Sequence, residues 1–404
     1  MKILHTSDWH LGQYFMMKTR ESEHLQFLNW LIEVVNDQKI DALIVAGDIF
    51  DSASPPSYAR KLYSDFIVRL QQSVCRQLII VSGNHDSVAV LNESKDLLKA
   101  LNVSLLAGLS DDLTDHLITI KDDQQNPQAI LCALPFLRAA DLLKSAQGRS
   151  ASDKQMSLQQ AIADTYQSIF ELAEAQRDGQ AIPVLATGHL TAVGCSVSDS
   201  VREIYIGTLT AFPASLFPAF NYIALGHLHR PQKVQKADHI RYSGSPIALS
   251  FDETAQQKKV NVIEFSPSLA LTVTENIIPK FQKMQVISGD FASITTQIET
   301  LISELDEQSI WLEIKLKQAF YLSDVQSELN ALVAGSNIEI LKISSPKIDE
   351  NKQWQAHQKN TLDNLTPDDL FQHRLEIEEN LSELQKTQLS ELFAQVCVEV
   401  GEKS

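Results

Sequence analysis

The sequence has no apolar run near the ~20 residues that a membrane-spanning helix needs, and it enters strand-like Lys2-Ile3-Leu4 with no signal-peptide pattern ahead of it. No membrane association and a cytoplasmic location are the expectations. Cysteine is scarce. Cys75, Cys132, Cys195 and Cys397 are scattered and form no C-x-x-C pair, which points to free thiols in a reducing compartment and away from zinc or disulfide frameworks. Positive charge is also short. Lys and Arg number 34 against 51 Asp and Glu, a formal net charge of −17. A surface that holds nucleic acid by general electrostatics is thereby disfavoured. The deficit is uneven: 23 basic against 30 acidic residues over 1–275, and 11 against 21 over 276–404. Two bound divalent cations would offset about four negatives of the first part, so any nucleic-acid surface must be local or supplied by a partner.

What is present is ordinary for a soluble globular chain: 404 residues, 44% hydrophobic and 21% charged. That length suits one large or two to three smaller domains. Continuous apolar stretches such as Ala42-Leu43-Ile44-Val45-Ala46 and Leu78-Ile79-Ile80-Val81 read as strands of a sheet covered on both faces. Between them, Leu25, Leu28, Leu31, Ile32 and Val35 have helical spacing, and a second helix follows Ser54-Pro55-Pro56 over residues 58–70. Strands therefore alternate with helices, and polar residues follow each strand.

Those polar residues repeat a design. Asp8-Trp9-His10 follows the first strand, Gly47-Asp48-Ile49-Phe50-Asp51 the second and Gly83-Asn84-His85-Asp86 the third. Gly188-His189 ends a strand at 183–186, and Gly226-His227-Leu228-His229 ends one at 222–225. A Gly-Asn turn is often only a turn, an Asp after a strand often caps a helix, and a lone His is more often structural. Five such stretches, each at a strand tip, outweigh those readings, because functional groups gather at the carboxyl ends of strands in layered α/β sheets. The H-x-H spacing is expected to put His227 and His229 on one side of an extended backbone. Ser243-Gly244-Ser245-Pro246 is a turn, or a wall facing a substrate.

Asp8, His10, Asp48, Asn84, His189, His227 and His229 give two carboxylates, one amide and four imidazoles. This mixed oxygen and nitrogen set suits two borderline divalent cations with Asp48 bridging them, which is the equipment of metal-assisted phosphoryl chemistry. His85 is left over as a general acid, with Asp86 orienting it. Asp51 reads as structural, or as a hydrogen-bond acceptor behind a ligand, rather than as a ligand itself.

Residues 281–343 read strand, helix, strand, helix, strand, a small α+β domain without a catalytic constellation. A polar linker follows over 346–365. Thr366-Pro367-Asp368-Asp369 starts a helical tail. There Leu389, Leu392, Phe393 and Val396 form a stripe that either packs a core or docks on a partner.

The five strand-tip motifs, in this order, resemble the calcineurin-like metallophosphoesterase superfamily. The longer stretches Thr6-Ser7-Asp8-Trp9-His10-Leu11-Gly12 and Gly226-His227-Leu228-His229-Arg230-Pro231-Gln232 are similar to its DNA-nuclease branch. The resemblance implies an α/β fold: a four-layer α/β sandwich over 1–278, a small α+β capping domain over 279–345, the linker over 346–365, and C-terminal helices over 366–404 that bind a coiled-coil ATPase subunit. It implies two Mn2+ ions, with Mg2+ the alternative. One would be held by Asp8, His10, Asp48 and His229, the other by Asp48, Asn84, His189 and His227, with His85 catalytic. It implies 3′→5′ exonuclease action on duplex ends and endonuclease action on single strands and hairpins. These activities would serve DNA repair, recombination and replication, in an assembly of two copies with two ATPase subunits that confer ATP dependence. Asp51-Ser52-Ala53 stands where some relatives carry a second catalytic histidine, so none is carried over. Two rivals remain. One is another enzyme of the superfamily, a protein phosphatase or a small phosphodiesterase; the phosphatases place Arg after the second acid of G-D-x-x-D, where Ser52 stands here. A non-catalytic adaptor would have no need of the full donor set.

Overall fold

The computed structural model describes residues 1–142, 151–201, 211–304, 308–318 and 322–346, with positions 371, 385, 389, 390, 392 and 393 beyond them. The chain divides into two compact units, Met1–Ser345 and Pro346–Ser404. After Pro346 the expected linker lies outside the described residues, as does most of the helical tail, including Val396.

Two six-stranded sheets form the first and larger part. In the first sheet the strands run Leu271–Ile277, Lys259–Phe265, Lys2–Thr6, Ala42–Ala46, Gln77–Val81 and Val103–Leu106; the last four are mutually parallel. In the second they run Gln232–Lys233, Ile240–Tyr242, Tyr222–Gly226, Val184–His189, Pro127–Cys132 and Leu117–Lys121, with the middle four parallel. Parallel neighbours share a direction, so their carboxyl ends come out on one side.

The apolar runs are continuous because each sheet is covered twice. Ile3, Ala42, Ile44, Ile79 and Val81 meet Ala129, Leu131, Leu185, Tyr222 and Ala224 between the sheets. The alternate residues Leu4, Leu43, Val45, Leu78 and Ile80 meet the helices Glu21–Gln38 and Ser57–Leu70. On the far side, Ile130, Ala186, Ile223 and Leu225 pack against Ile162, Tyr166 and Ile169 of the helix Ala151–Arg177. The result is the expected four-layer sandwich. Each fully buried aliphatic side chain contributes about 1.5–3 kcal/mol through removal from water. In the first helix the buried stripe runs through His24, Phe27, Leu28, Leu31 and Val35, and Leu25 is exposed. Position 25 lies about 100° around the helix from His24, off the core face. Lys39, left-handed at φ 56°, ends this helix.

A third sheet, Lys283–Gly289, Ile310–Leu316 and Ile338–Ser344, is parallel throughout. The helices Phe291–Ser303 and Leu322–Val333 cover one face through Ile294, Ile298, Leu312, Ile314 and Leu329. On the other face Trp311 stacks on Phe15, with centroids 6.0 Å apart. The Arg20 guanidinium lies 5.4 Å from the Phe15 ring and 5.3 Å from Trp311. This small sheet is thereby anchored to the segment that follows Asp8 and His10. Among the described residues no helix is long and apolar enough to cross a membrane.

Candidate metal centre

Each expected metal-site residue, and His85, lies just past, or at, the carboxyl end of a strand. Asp8, His10, Asp48, His85, His189, His227 and His229 are all buried, and Asn84 is half-buried. The loops are knitted together by their own backbones: Asp8 N–H donates to the Gly47 carbonyl at 3.0 Å and His10 N–H to the Asp48 carbonyl at 3.0 Å. The carboxylates add further ties. Asp48 Oδ1 accepts from His85 N–H at 2.9 Å, and Asp8 Oδ1 accepts from His227 N–H at 2.8 Å. Four of these residues stand at positive φ: Asp8 (53°), His10 (48°), Asp48 (50°) and His227 (96°). Each such backbone costs about 1–3 kcal/mol, and this kind of strain concentrates at functional sites. The value at His227 also overturns the expected extended H-x-H geometry, since the two imidazoles diverge to different partners.

Close approach explains two of the glycines. A Cβ on Gly83 would lie 2.1 Å from Asp48 Oδ1 and 2.4 Å from its backbone nitrogen. A Cβ on Gly226 would lie 1.8 Å from the Ala46 carbonyl oxygen.

The side chains gather in two overlapping groups. Asp8, His10 and His229 offer ligand atoms within 4.8 Å of one another, and so do Asp48, His189 and His227. His10 Nε2 faces His229 Nε2 at 3.2 Å. Asn84 Oδ1 lies 2.9 Å from His189 Nε2 and 3.1 Å from His227 Nδ1, which adds it to the second group. Asp48 Oδ2 stands between the groups, 3.6 Å from His10 Nε2 and 3.1 Å from His189 Nε2. Buried imidazole nitrogens aimed at one another and at carboxylate oxygens make a poor apolar core. They make a suitable cradle for divalent cations that take mixed nitrogen and oxygen ligands.

The electrostatics agree. Burial pushes the Asp48 carboxyl up, but the charge and hydrogen bond of His189, then His10 and His85, hold it well below the usual range. Burial pulls His189 down, and the charge and hydrogen bond of Asp48 overcome it, raising the imidazole to about 9. Burial likewise opposes the proton on His10, while the Asp51 hydrogen bond and the Asp48 charge raise it. His227 is driven well below its ordinary value by burial and then by the His189 charge.

Asp51 and Asp86 stand behind the donors. Asp51 Oδ1 lies 3.1 Å from His10 Nδ1 and so aims Nε2 inward. The role expected for Asp86 is corrected. Its carboxylate accepts from the backbone N–H groups of Gly83 (2.8 Å), Phe50 (3.0 Å) and Ile49 (3.1 Å), so it braces two loops. Burial, then the Asp48 charge, pushes this carboxyl up to about 6 against those amides. The His85 ring is set instead by the Asp51 carbonyl, 2.8 Å from Nδ1. A third grouping of potential ligand atoms is His10, Asp51 and His85.

One cluster was not legible in the sequence. Buried Glu253 accepts from Ser198 Oγ at 2.9 Å, from Lys258 Nζ at 2.6 Å and from Ser200 Oγ, whose hydroxyl also reaches His229 Nδ1. Lys258 Nζ donates in addition to the His229 carbonyl at 2.9 Å. This network fixes the His229 ring from behind. The serines come from the polar segment at 195–201 and the acid from a short 3-10 turn, Phe251–Glu253, so no spacing rule links them. The turn at 243–246 is also internal. Ser243 Oγ lies 2.8 Å from Ser7 Oγ, and Ser245 Oγ donates to the Ile247 carbonyl at 2.9 Å. Both serines are buried and form a buttress, which removes the reading of a substrate-facing wall.

Comparison with known proteins places this geometry. The sequence profile of the calcineurin-like phosphoesterases matches residues 1–231. A profile described as the type 5 capsule protein repressor C-terminal domain matches residues 280–395. The chain belongs to the calcineurin-like phosphoesterase family, and it is a metal-dependent phosphodiester hydrolase. Within that family it belongs to the SbcD group. It is 45% identical over 393 residues to the SbcD chain of the nuclease SbcCD from Escherichia coli (strain K12), covering 97% of each chain. The SbcD chain from Rhodobacter capsulatus is 36% identical over 282 residues, 67% of this chain and 68% of the relative. The one from Bacillus subtilis is 28% identical over 338 residues, 80% and 81%.

Proposed function

We propose that this chain is the nuclease subunit of an SbcCD-type complex and hydrolyses DNA phosphodiester bonds with two manganese ions, magnesium being the alternative. The observation that carries the reading is the convergence of seven nitrogen and oxygen donors from five strand tips, with His85 beside them. Asp8, His10, Asp48 and His229 would hold one ion. Asp48, Asn84, His189 and His227 would hold the other. When bound, the two cations supply charge that polarises the phosphoryl group and acidifies water at the site.

The remaining roles belong to the chain's own residues. His85 Nδ1 donates to the Asp51 carbonyl, so as the imidazolium the ring carries its second proton on Nε2, and that proton goes to the leaving oxygen as the ring returns to neutral. The His85 ring lies edge-on to His10, with centroids 4.7 Å apart, so this acid stands directly beside the first donor group. Asp51 and the Glu253 network hold the His10 and His229 rings in register. Ser52, in place of an arginine that would grip a monoester, supports a diester substrate.

DNA as substrate is supported by the relatives' description as nucleases. From the same resemblance come 3′→5′ action on duplex ends, endonuclease action on single strands and hairpins, and a part in repair, recombination and replication. The partner is an SbcC-like coiled-coil ATPase, two copies of each chain forming a heterotetramer in which ATP gates cleavage. Docking of that partner on the tail is supported by the exposure of Leu389 (38%) and Leu392 (61%). Phe393 of the same stripe stacks on Phe371 at 3.9 Å. Partner surface would also answer the net charge of −17.

The test compares bis(4-nitrophenyl) phosphate, 4-nitrophenyl phosphate and end-labelled single-stranded DNA as substrates for the full chain with manganese. Hydrolysis of DNA and the diester at least ~10-fold faster than the monoester supports the reading. Preference for the monoester would place the chain with the phosphatases.

A further inference from the structure

The loop after the strand Pro127–Cys132 crosses the carboxyl ends of two site-bearing strands. Phe136 N–H donates to the Ser82 carbonyl at 2.9 Å, and Thr187 Oγ1 donates to the Leu134 carbonyl at 2.8 Å. The loop is thus tied to the residue before Gly83 on one side and to the strand that carries His189 on the other. Its last residue, Arg138, is half-buried. Arg138 Nη2 donates to the carbonyl of Asp86, the neighbour of His85, at 3.3 Å. Its guanidinium carbon lies 5.8 Å from the centroid of Phe136, a ring set nearly perpendicular to His189 with centroids 6.4 Å apart. These partners are a carbonyl and an aromatic face, and no carboxylate among the described residues pairs with Arg138.

In a chain with 51 acidic residues, a cation that no described carboxylate pairs, beside a phosphoryl-transfer centre, calls for an anion. Arginine keeps its charge at every relevant pH, and its planar fork matches phosphate oxygens two at a time. One arm is spent on the Asp86 carbonyl and the guanidinium carbon sits over the Phe136 ring, so the orientation is set before substrate arrives. The scissile phosphate belongs where the seven donors converge. Arg138 stands to the side of that point, next to the His85 and His189 turns.

We propose that Arg138 is a substrate-binding residue that holds the phosphate adjacent to the scissile one, and so registers the DNA strand in the centre. The inference rests on the DNA-hydrolase reading above.

The test uses the full chain with manganese and two substrates. Bis(4-nitrophenyl) phosphate carries only a scissile phosphate; a single-stranded oligonucleotide carries neighbours as well. For Arg138→Ala the oligonucleotide KM should rise about 10-fold or more relative to any change on the small diester. The dependence of log(1/KM) on log salt should become shallower by about 0.7, the loss of one single-strand phosphate contact. Arg138→Lys, which keeps the charge without the fork, should recover part of the KM and most of the salt slope. Equal losses on both substrates, in kcat or KM, would overturn the inference, because the residue would then act on the centre or on the fold. Unchanged oligonucleotide KM and salt slope would overturn it as well. A wild-type chain that hydrolyses the small diester and no oligonucleotide would instead defeat the DNA reading itself.

Discussion

Glu253 Oε1 lies 3.4 Å from Nδ1 of His229, with the Ser200 hydroxyl bonded to both. Burial pushes Glu253 up, but the His229 hydrogen bond and the Lys258 charge hold the carboxyl far below its ordinary value. The group is a buried anion that orients a proposed ligand from behind. Glu253→Gln should weaken metal binding about 10–100-fold. It should also lower stability by about 3–5 kcal/mol, because Lys258 is left buried without its partner. Calorimetric titration with Mn2+ and denaturant melts check both. Adding Lys258→Met should recover stability without recovering metal affinity. Recovery of both would reduce Glu253 to a stabiliser of Lys258.

Gly83→Ala should be far more damaging than a methyl group suggests. The new Cβ would fall 2.1 Å from Asp48 Oδ1, and relief would move either Asp48 or the turn that carries Asn84 and His85. A loss of about 1–3 kcal/mol in stability is expected, with activity falling further. Stability and activity measured on one preparation decide it, and wild-type activity in this variant would contradict the geometry.

Acid should destabilise the chain through His24. Burial, then the Arg20 charge, pulls its imidazole down to about 3, whereas the unfolded chain titrates near ~6.5. Between those values the unfolded state binds a proton that the folded state refuses. Stability therefore falls as pH drops through this window, by about 1.4 kcal/mol per pH unit for this one group. His24→Leu should show a slope shallower by that amount between pH 6 and 4 in denaturant titrations. An unchanged slope would mean that His24 is not held neutral.

Much of the site was legible because each donor follows a sequence-local signal. A continuous apolar strand such as Ala42-Leu43-Ile44-Val45-Ala46 predicts its own burial on both faces, and the polar residues after it then mark its carboxyl end. What escaped depends on contacts between distant segments. Glu253 meets Ser198, Ser200 and His229 only when two loops cross. Arg138 becomes notable only once Phe136 is tied to Ser82 and the Asp86 carbonyl accepts from its guanidinium. Asp86 misled for a related reason: adjacency to His85 suggests a side-chain pair, while backbone amides of its own turn and of Ile49 and Phe50 capture the carboxylate. Leu25 fits a loose apolar tally but not the stripe that His24 and Phe27 define.

Asp48 carries the heaviest load in the proposed centre, since Oδ2 faces both groups while Oδ1 holds the His85 amide. Asp48→Ala should remove binding of both ions and cleavage together, each by ~10²-fold or more, beyond what loss of an outer-layer partner costs. Isothermal titration with Mn2+ beside diester hydrolysis tests this. Retention of one tight ion would show that the residue does not bridge.

The most direct measurement is manganese-dependent cleavage of an end-labelled hairpin duplex by the full chain and by His85→Ala, each with and without an SbcC-like partner and ATP. Metal stoichiometry is read on the same samples. Two-metal hydrolysis with His85 as the acid predicts cleavage by wild type, stimulated by partner and ATP, and loss of turnover in His85→Ala with both ions still bound. Loss of the ions in that variant would move His85 among the ligands. Absence of hairpin cleavage under every condition, with the small diester still hydrolysed, would contradict DNA as the substrate.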